Sequence, residues 1–178
     1  MVSELAGLFT GKENHRCQMV DVMRIVVPAV PVPQPRQKHR AFKTKSGAVR
    51  THNYTPTRDP VNVYKATVKA ALEKVYKDAP IDEPLIVNLL FVMPRPATKP
   101  AWIKKQSRWE QAWKSGQRVP CAAKGRNDRD NLMKSTQDAL NELLFTDDGL
   151  IWSGTTDKLH AGSSEQPHVE IVVTWGEL

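Results

Sequence analysis

The chain has 178 residues, 40% of them hydrophobic, and sets 26 lysines and arginines against 19 acids for a formal charge of +7. That length suits one domain with a real core, and the basic balance favours a polyanionic partner such as nucleic acid. Cys17 and Cys121 form neither a disulfide framework nor a zinc set and read as reduced thiols, while no apolar run nears the about 20 residues that span a bilayer and no signal-peptide core is visible, so a soluble intracellular protein is expected.

Residues 1–22 show no periodicity beyond an apolar patch at Leu5 to Phe9. They read as an arm, either flexible or a short docked helix, ahead of a domain over 23–178. Met23 to Val27 is apolar and β-branched and predicts a strand, after which Pro28, Pro31, Pro33 and Pro35 stiffen an extended connection. Residues 34–58 then read as a basic loop. They hold Arg36, Lys38, Arg40, Lys43, Lys45, Arg50 and Arg58 with no acid, interleaved with Phe42, His52 and Tyr54. This mixture suits phosphate contacts with stacking on exposed bases, against the plainer alternative of a solvated loop.

Asp59 and Pro60 predict the start of a helix that runs to about Lys77, with Val61, Tyr64, Val68, Leu72 and Val75 as its core stripe. Leu85 to Met93, bounded by Pro84 and Pro94, is a nearly continuous apolar run of strand length and predicts a central strand. Residues 95–118 form a second basic excursion with seven basic residues and only Glu110 opposing them. Trp109 and Trp113, four apart, share one face of a short helix. With Trp102, they are expected to pack the excursion on the body; stacking on distorted DNA is the sharper alternative. Lys104, Lys105 and Arg108 are candidate phosphate contacts. The last two apolar segments, Leu150 to about Leu159 and Val169 to Trp175, predict a hairpin across the Gly162-Ser-Ser turn.

The densest chemistry lies in Asn127-Asp-Arg-Asp-Asn-Leu-Met-Lys134, followed by Asp147 and Asp148. Placing residues 130–144 on a helix at about 100° per residue puts Asp130, Lys134 and Asp138 near 0°, 40° and 80°. Leu132, Met133, Ala139, Leu140 and Leu143 fall between about 180° and 300°, the side that docks on a sheet. Carboxylates gathered this way are what a hard divalent cation takes, with water and phosphate oxygens completing its shell. Structural alternatives stand beside this. Asn127 or Asp128 could be a helix N-cap, and Asp130, Lys134 and Asp138 could be an exposed ion-pair ladder.

Asp128-Arg-Asp-Asn-Leu-Met-Lys134, then Asp138-Ala-Leu-Asn141 and Asp147-Asp148, resembles the RusA family of Holliday junction resolvases. Pro31, Pro33, Arg36 and Tyr54-Thr-Pro56 extend the resemblance to about residues 23–175. It implies a single α+β domain in which a mixed sheet of about four to five strands packs on two main helices, with a basic excursion before the second. It also implies Asp128, Asp130 and Asp148 as magnesium ligands, with manganese able to substitute, and Lys134 as the partner of the phosphate or leaving group. Asp147 becomes a neighbour that adjusts the site, and Asn131 and Asp138 support the ligands or the helix. The implied substrate is four-way branched DNA, nicked symmetrically by a homodimer in a bacterial or phage-infected cytoplasm. A non-catalytic branched-DNA binder, and the same chemistry on flaps or forks, are the competing readings. The long excursion and the N-terminal arm depart from compact members of the family and bear on substrate geometry.

Overall fold

The computed structural model describes residues 20–35, 38–54, 56–122 and 127–176; the side chains of 38–40 and 51–54 lie outside that description. The Leu5 to Phe9 patch, Cys17 and Arg36 therefore fall outside the described residues. The elements in chain order are β1 (Val20–Val27), β2 (Lys38–Lys43), β3 (Val49–Tyr54), α1 (Pro60–Val75), β4 (Leu85–Met93), α2 (Arg108–Lys114), β5 (Val119–Pro120), α3 (Arg129–Leu140), β6 (Ile151–Ser153), β7 (Thr156–His160) and β8 (His168–Gly176). This is one α+β domain, and the first strand opens at Val20, three residues ahead of the expected Met23.

A six-stranded mixed sheet runs in the order β1-β8-β4-β7-β5, with β6 also paired to β4. β4 is its centre, antiparallel to β8 on one side and parallel to β6 and β7 on the other. That position follows from its composition, since a strand apolar at all but Asn88 needs neighbours on both edges and cover on its face. It also overturns the expected hairpin. The last two apolar segments do not pair with each other, because β4 lies between β7 and β8.

The buried sides of α1 and α3 join one core with Ile25 and Val27 of β1, Val169, Ile171 and Val173 of β8, and Leu85 to Phe91 of β4. Asp59 caps α1 by accepting from the Val61 N–H at 3.1 Å, with Pro60 at the first helical position as its fixed φ favours. Val61, Tyr64, Val68 and Leu72 are buried as expected, whereas Val75 is 57% exposed. The helix ends at Val75 and Tyr76 turns extended, so the stripe stops one turn early. Between the helices, Tyr64 Oη lies 2.7 Å from Thr136 Oγ1, and burial pushes the phenol up to about 12 despite that bond. The proline-rich segment is docked on α3, where Gln34 N–H donates to Asn131 O at 2.8 Å and Ser135 Oγ donates to Val32 O at 2.7 Å.

α3 stops at Leu140, short of the expected residue 144. Glu142 takes a positive φ of 66°, and the chain turns so that Leu144 and Phe145 are fully buried. Ile81 pins this turn, its N–H donating to Leu144 O at 2.8 Å and its carbonyl accepting from Thr146 N–H at 3.0 Å. Between β6 and β7, Gly154 passes so close to β4 that a Cβ there would stand 1.9 Å from the Val87 carbonyl oxygen. Only glycine fits.

The largest departure from expectation is at residues 34–58. The basic segment holds a two-stranded antiparallel ribbon, β2 with β3, separate from the main sheet. Its turn is closed by Thr44 N–H to Ala48 O and Gly47 N–H to Thr44 O, both at 2.9 Å.

Candidate active site

Asp128 occupies the N-cap position of α3 with extended backbone dihedrals (φ −64°, ψ 139°), yet its side chain makes no capping hydrogen bond. An N-cap aspartate ordinarily accepts from the next turn's amides. Here the carboxylate stands exposed instead. Asp130 follows in the first turn, exposed as well. Both carboxylates sit at the positive end of the helix dipole, which favours negative charge there. Asn127 is not the cap. Its carbonyl accepts from Lys158 Nζ at 2.5 Å, which ties the entry of α3 to β7.

The exposed ion-pair ladder is not what forms. Asp138 reaches away from Lys134 and pairs with Lys65 of α1 at 2.8 Å, both side chains being about a quarter exposed. Lys134 is exposed one turn beyond Asp130, without an ion-pair partner among the described residues. Asp138 thus serves the packing of the helices, within the supporting role expected for it. Asn131 is half-buried, and its carbonyl holds the Gln34 N–H.

The later pair of acids divides its work. Asp147 caps a short 3-10 turn, Asp148–Leu150, its Oδ1 accepting from Gly149 N–H at 2.7 Å. Asp148 is exposed in that turn, its carboxylate making no hydrogen bond among the described residues while its carbonyl accepts from the Ile151 N–H, and leads into β6 opposite Leu85. An open cleft of about 470 Å³ is lined by Arg129, Asp130 and Met133 of α3 and by Gly154, Thr155, Thr156 and Asp157. The structure therefore brings Asp130 to a cleft with Asp157, while Asp128, Lys134 and Asp148 lie outside its lining. Among the described residues, no three His, Cys, Asp or Glu side chains are gathered closely enough to hold a metal.

Arg129, Thr155, Thr156 and Asp157 were not singled out by the sequence reading. Asp157 sits in β7 between Thr156 and Lys158, in a strand that the sequence reading recognised only for its apolar content. The signal available was an acid within a strand, a charge that must face solvent, and Asp157 is exposed. Thr155 is held by Asn88, whose Oδ1 accepts from both its N–H and its hydroxyl at 2.9 Å.

The oxygen donors here fit a hard divalent cation that keeps most of its own water. Such an ion needs only one or two carboxylates directly, and Asp128 and Asp130 are uncommitted to other partners among the described residues. A softer metal would call for thiolate or imidazole, and Cys121 is buried in the core.

Three of the seven basic residues of the excursion are occupied structurally. The Arg95 guanidinium lies 3.6 Å over the Trp113 ring and donates to the carbonyls of Trp113, Gln117 and Ala161 at 2.6, 3.0 and 3.1 Å. Glu110 is buried, bonds Lys99 Nζ at 2.7 Å and accepts the Gln106 N–H. These partners, Lys99 foremost, hold its carboxyl down to about 2. Arg118 reaches Glu165 at 2.5 Å and Glu170 at 3.1 Å. What remains exposed is Lys104, Lys105 and Arg108, the last stacked 4.3 Å over Trp109, together with Lys114, which lies 3.7 Å from Glu110. Lys43, Lys45 and Arg50 are exposed on the ribbon, which also carries Lys38 and Arg40 in β2.

Residues 28–174 match the family model described as "Endodeoxyribonuclease RusA". No curated protein matches the chain.

Proposed function

The chain belongs to the RusA endodeoxyribonuclease family, and we propose that it resolves four-way DNA junctions by magnesium-dependent paired nicks, acting as a homodimer. The family assigns hydrolysis of DNA phosphodiester bonds within Holliday junction resolution. The observation that carries the finer reading is the state of Asp128, which holds a helix N-cap position but leaves its carboxylate exposed and uncapped, two residues ahead of the likewise exposed Asp130.

In this reading Asp128 and Asp130 would hold the ion directly, Asp148 is the third acid that the family resemblance assigns to it, and manganese substitutes for magnesium. When bound, the cation supplies Lewis-acid polarisation of the phosphate and lowers the pKa of a coordinated water. The rest falls to the chain's own groups. Lys134, one turn beyond Asp130, stands as a compact positive charge to neutralise the phosphate oxygens as negative charge builds. Lys158 positions rather than reacts, because its grip on the Asn127 carbonyl fixes where α3 begins. Asp147 fixes the turn that presents Asp148. Thr155 is set by Asn88 along the cleft edge.

Lys43, Lys45, Arg50, Lys104, Lys105 and Arg108 meet the phosphates of the arms, with Arg36, Lys38 and Arg40 in the same basic tract. A two-fold enzyme matches the two-fold symmetry of the junction and delivers two equivalent cuts. The test compares cleavage of a synthetic four-way junction, a fork and a linear duplex, each with and without magnesium. Symmetric nicks in the junction alone, only with the ion, support the reading. Equal cutting of the fork moves the substrate to other branched DNA, and no cutting of any of them sinks it.

A further inference from the structure

The β2–β3 ribbon has a sorted register. Its cross-strand partners are Lys38 with Tyr54, Arg40 with His52, and Phe42 with Arg50. Side chains alternate between the two sides of a strand, and directly opposed residues share a side. By register, three alternate rungs each set one basic residue opposite one ring, and the rung whose side chains are described is Phe42 with Arg50. The other side carries His39 with Asn53, Ala41 with Thr51 and Lys43 with Val49, and shows no such order.

A purely structural ribbon would bury its rings. This one forms its own two-stranded sheet, and Phe42 is 47% exposed with Arg50 exposed beside it. The 47% of Phe42 that stays wet contributes nothing to folding. The rung pattern does suit a strand of nucleic acid. Rings offer a stacking surface to any base, and cations at the same spacing meet the phosphates between bases. Rungs two residues apart along a strand are about 6.6 Å apart, close to the spacing of nucleotides in an extended single strand.

We propose that this side of the ribbon binds unpaired bases of DNA, with Phe42 as a stacking platform and Arg50 as its phosphate contact. On the resolvase reading, on which this rests, the unpaired bases are those at the branch point of the junction. The ribbon then acts on the substrate's distortion, separately from the carboxylates of α3.

The test uses the full chain carrying Asp130→Asn, so that DNA is bound and not cut. Fluorescence anisotropy would measure binding to oligo(dT), to a duplex of the same length and to a four-way junction. Phe42→Ala is expected to weaken oligo(dT) and junction binding about tenfold, as loss of one stacked base does, and to leave the duplex within about twofold. Phe42→Trp retains the affinity. Arg50→Ala weakens all three and lowers the salt slope by about 1. Unchanged oligo(dT) binding in Phe42→Ala, or an equal loss on duplex, overturns the proposal. The oligo(dT) comparison judges the ribbon whatever the enzyme cuts. A parent that binds oligo(dT) through Phe42 but neither prefers nor, as wild type, nicks a junction refutes the resolvase reading alone.

Discussion

Gly154→Ala is the substitution whose consequence the structure specifies most closely. The new methyl would stand 1.9 Å from the Val87 carbonyl oxygen, 2.8 Å from its carbon and 3.2 Å from its nitrogen, all rigid backbone of the central strand. The φ of +153° at this residue adds strain for any L side chain, of about 1–3 kcal/mol. Relief requires β7 to move off β4, which endangers the Leu89 N–H to Thr155 O bond at 2.8 Å and the two Thr155 bonds to Asn88. At about 1 kcal/mol net each, their loss brings the cost to about 4–6 kcal/mol. That is a large share of the about 5–15 kcal/mol that holds a domain together. Melting followed by circular dichroism should fall by about 8–24 °C for a chain of this size. Gly47→Ala is the control. Its φ is +82° but nothing lies within 4 Å of a Cβ there, and the ribbon is outside the core, so global melting should hold within about 2 °C. A Gly154→Ala protein that melts within about 2 °C of wild type refutes the close approach of β6–β7 to β4.

Tyr64→Phe removes the hydroxyl that faces Thr136 and should cost about 1 kcal/mol in urea unfolding, with nicking intact. Asp138→Asn breaks a part-exposed pair with Lys65 and should cost no more than about 1 kcal/mol while leaving junction nicking within a few-fold; loss of activity would place Asp138 in the chemistry. Stability should fall with acid in two stages. His160 is held below its usual value, first by burial, so its neutral form is native and stability is lost as pH drops through the ordinary histidine range. Glu110 and Glu165 are held below theirs by Lys99 and by Arg118 respectively. Their contribution is complete above the ordinary glutamate range and is lost below it, down toward about 2 for Glu110. Glu110→Gln should flatten that second stage in urea melts taken across pH. Replacing Lys104, Lys105 and Arg108 together with alanine should reduce the junction salt slope by about 2.7, given about 0.9 for each phosphate no longer neutralised.

Strong local signals in the sequence carry much of this fold. The Asp59-Pro60 cap, the apolar run of β4 and the two faces of α3 each depend on neighbouring residues alone, and the structure keeps them. Pairing across the chain is different. The order β8-β4-β7 joins segments about 65–85 residues apart, and nothing local states that β4 separates the two final strands. The ribbon escaped notice because its period of two lies in cations and rings, whereas a strand is usually found by alternating apolar residues. At the site, the acids at the head of α3 were legible from spacing. Which of them stayed free was not. Asp138 is drawn off by Lys65 and Asp147 by the Gly149 amide, interactions that depend on the packing of α1 and on the turn after α3. Asp157 reaches the cleft beside Asp130 through the pairing of β7 with β4, a contact between distant segments.

The central claim is that the carboxylates at the head of α3 perform magnesium-dependent cleavage of junction DNA. Quantifying nicks in a synthetic four-way junction by wild type and Asp130→Asn, with junction binding measured in parallel, tests it most directly. Wild type should cut only with magnesium, and Asp130→Asn should lose about a thousandfold in rate, equivalent to about 4 kcal/mol of barrier, while binding the junction as tightly or more so. An Asp130→Asn protein that nicks at the wild-type rate would contradict the account.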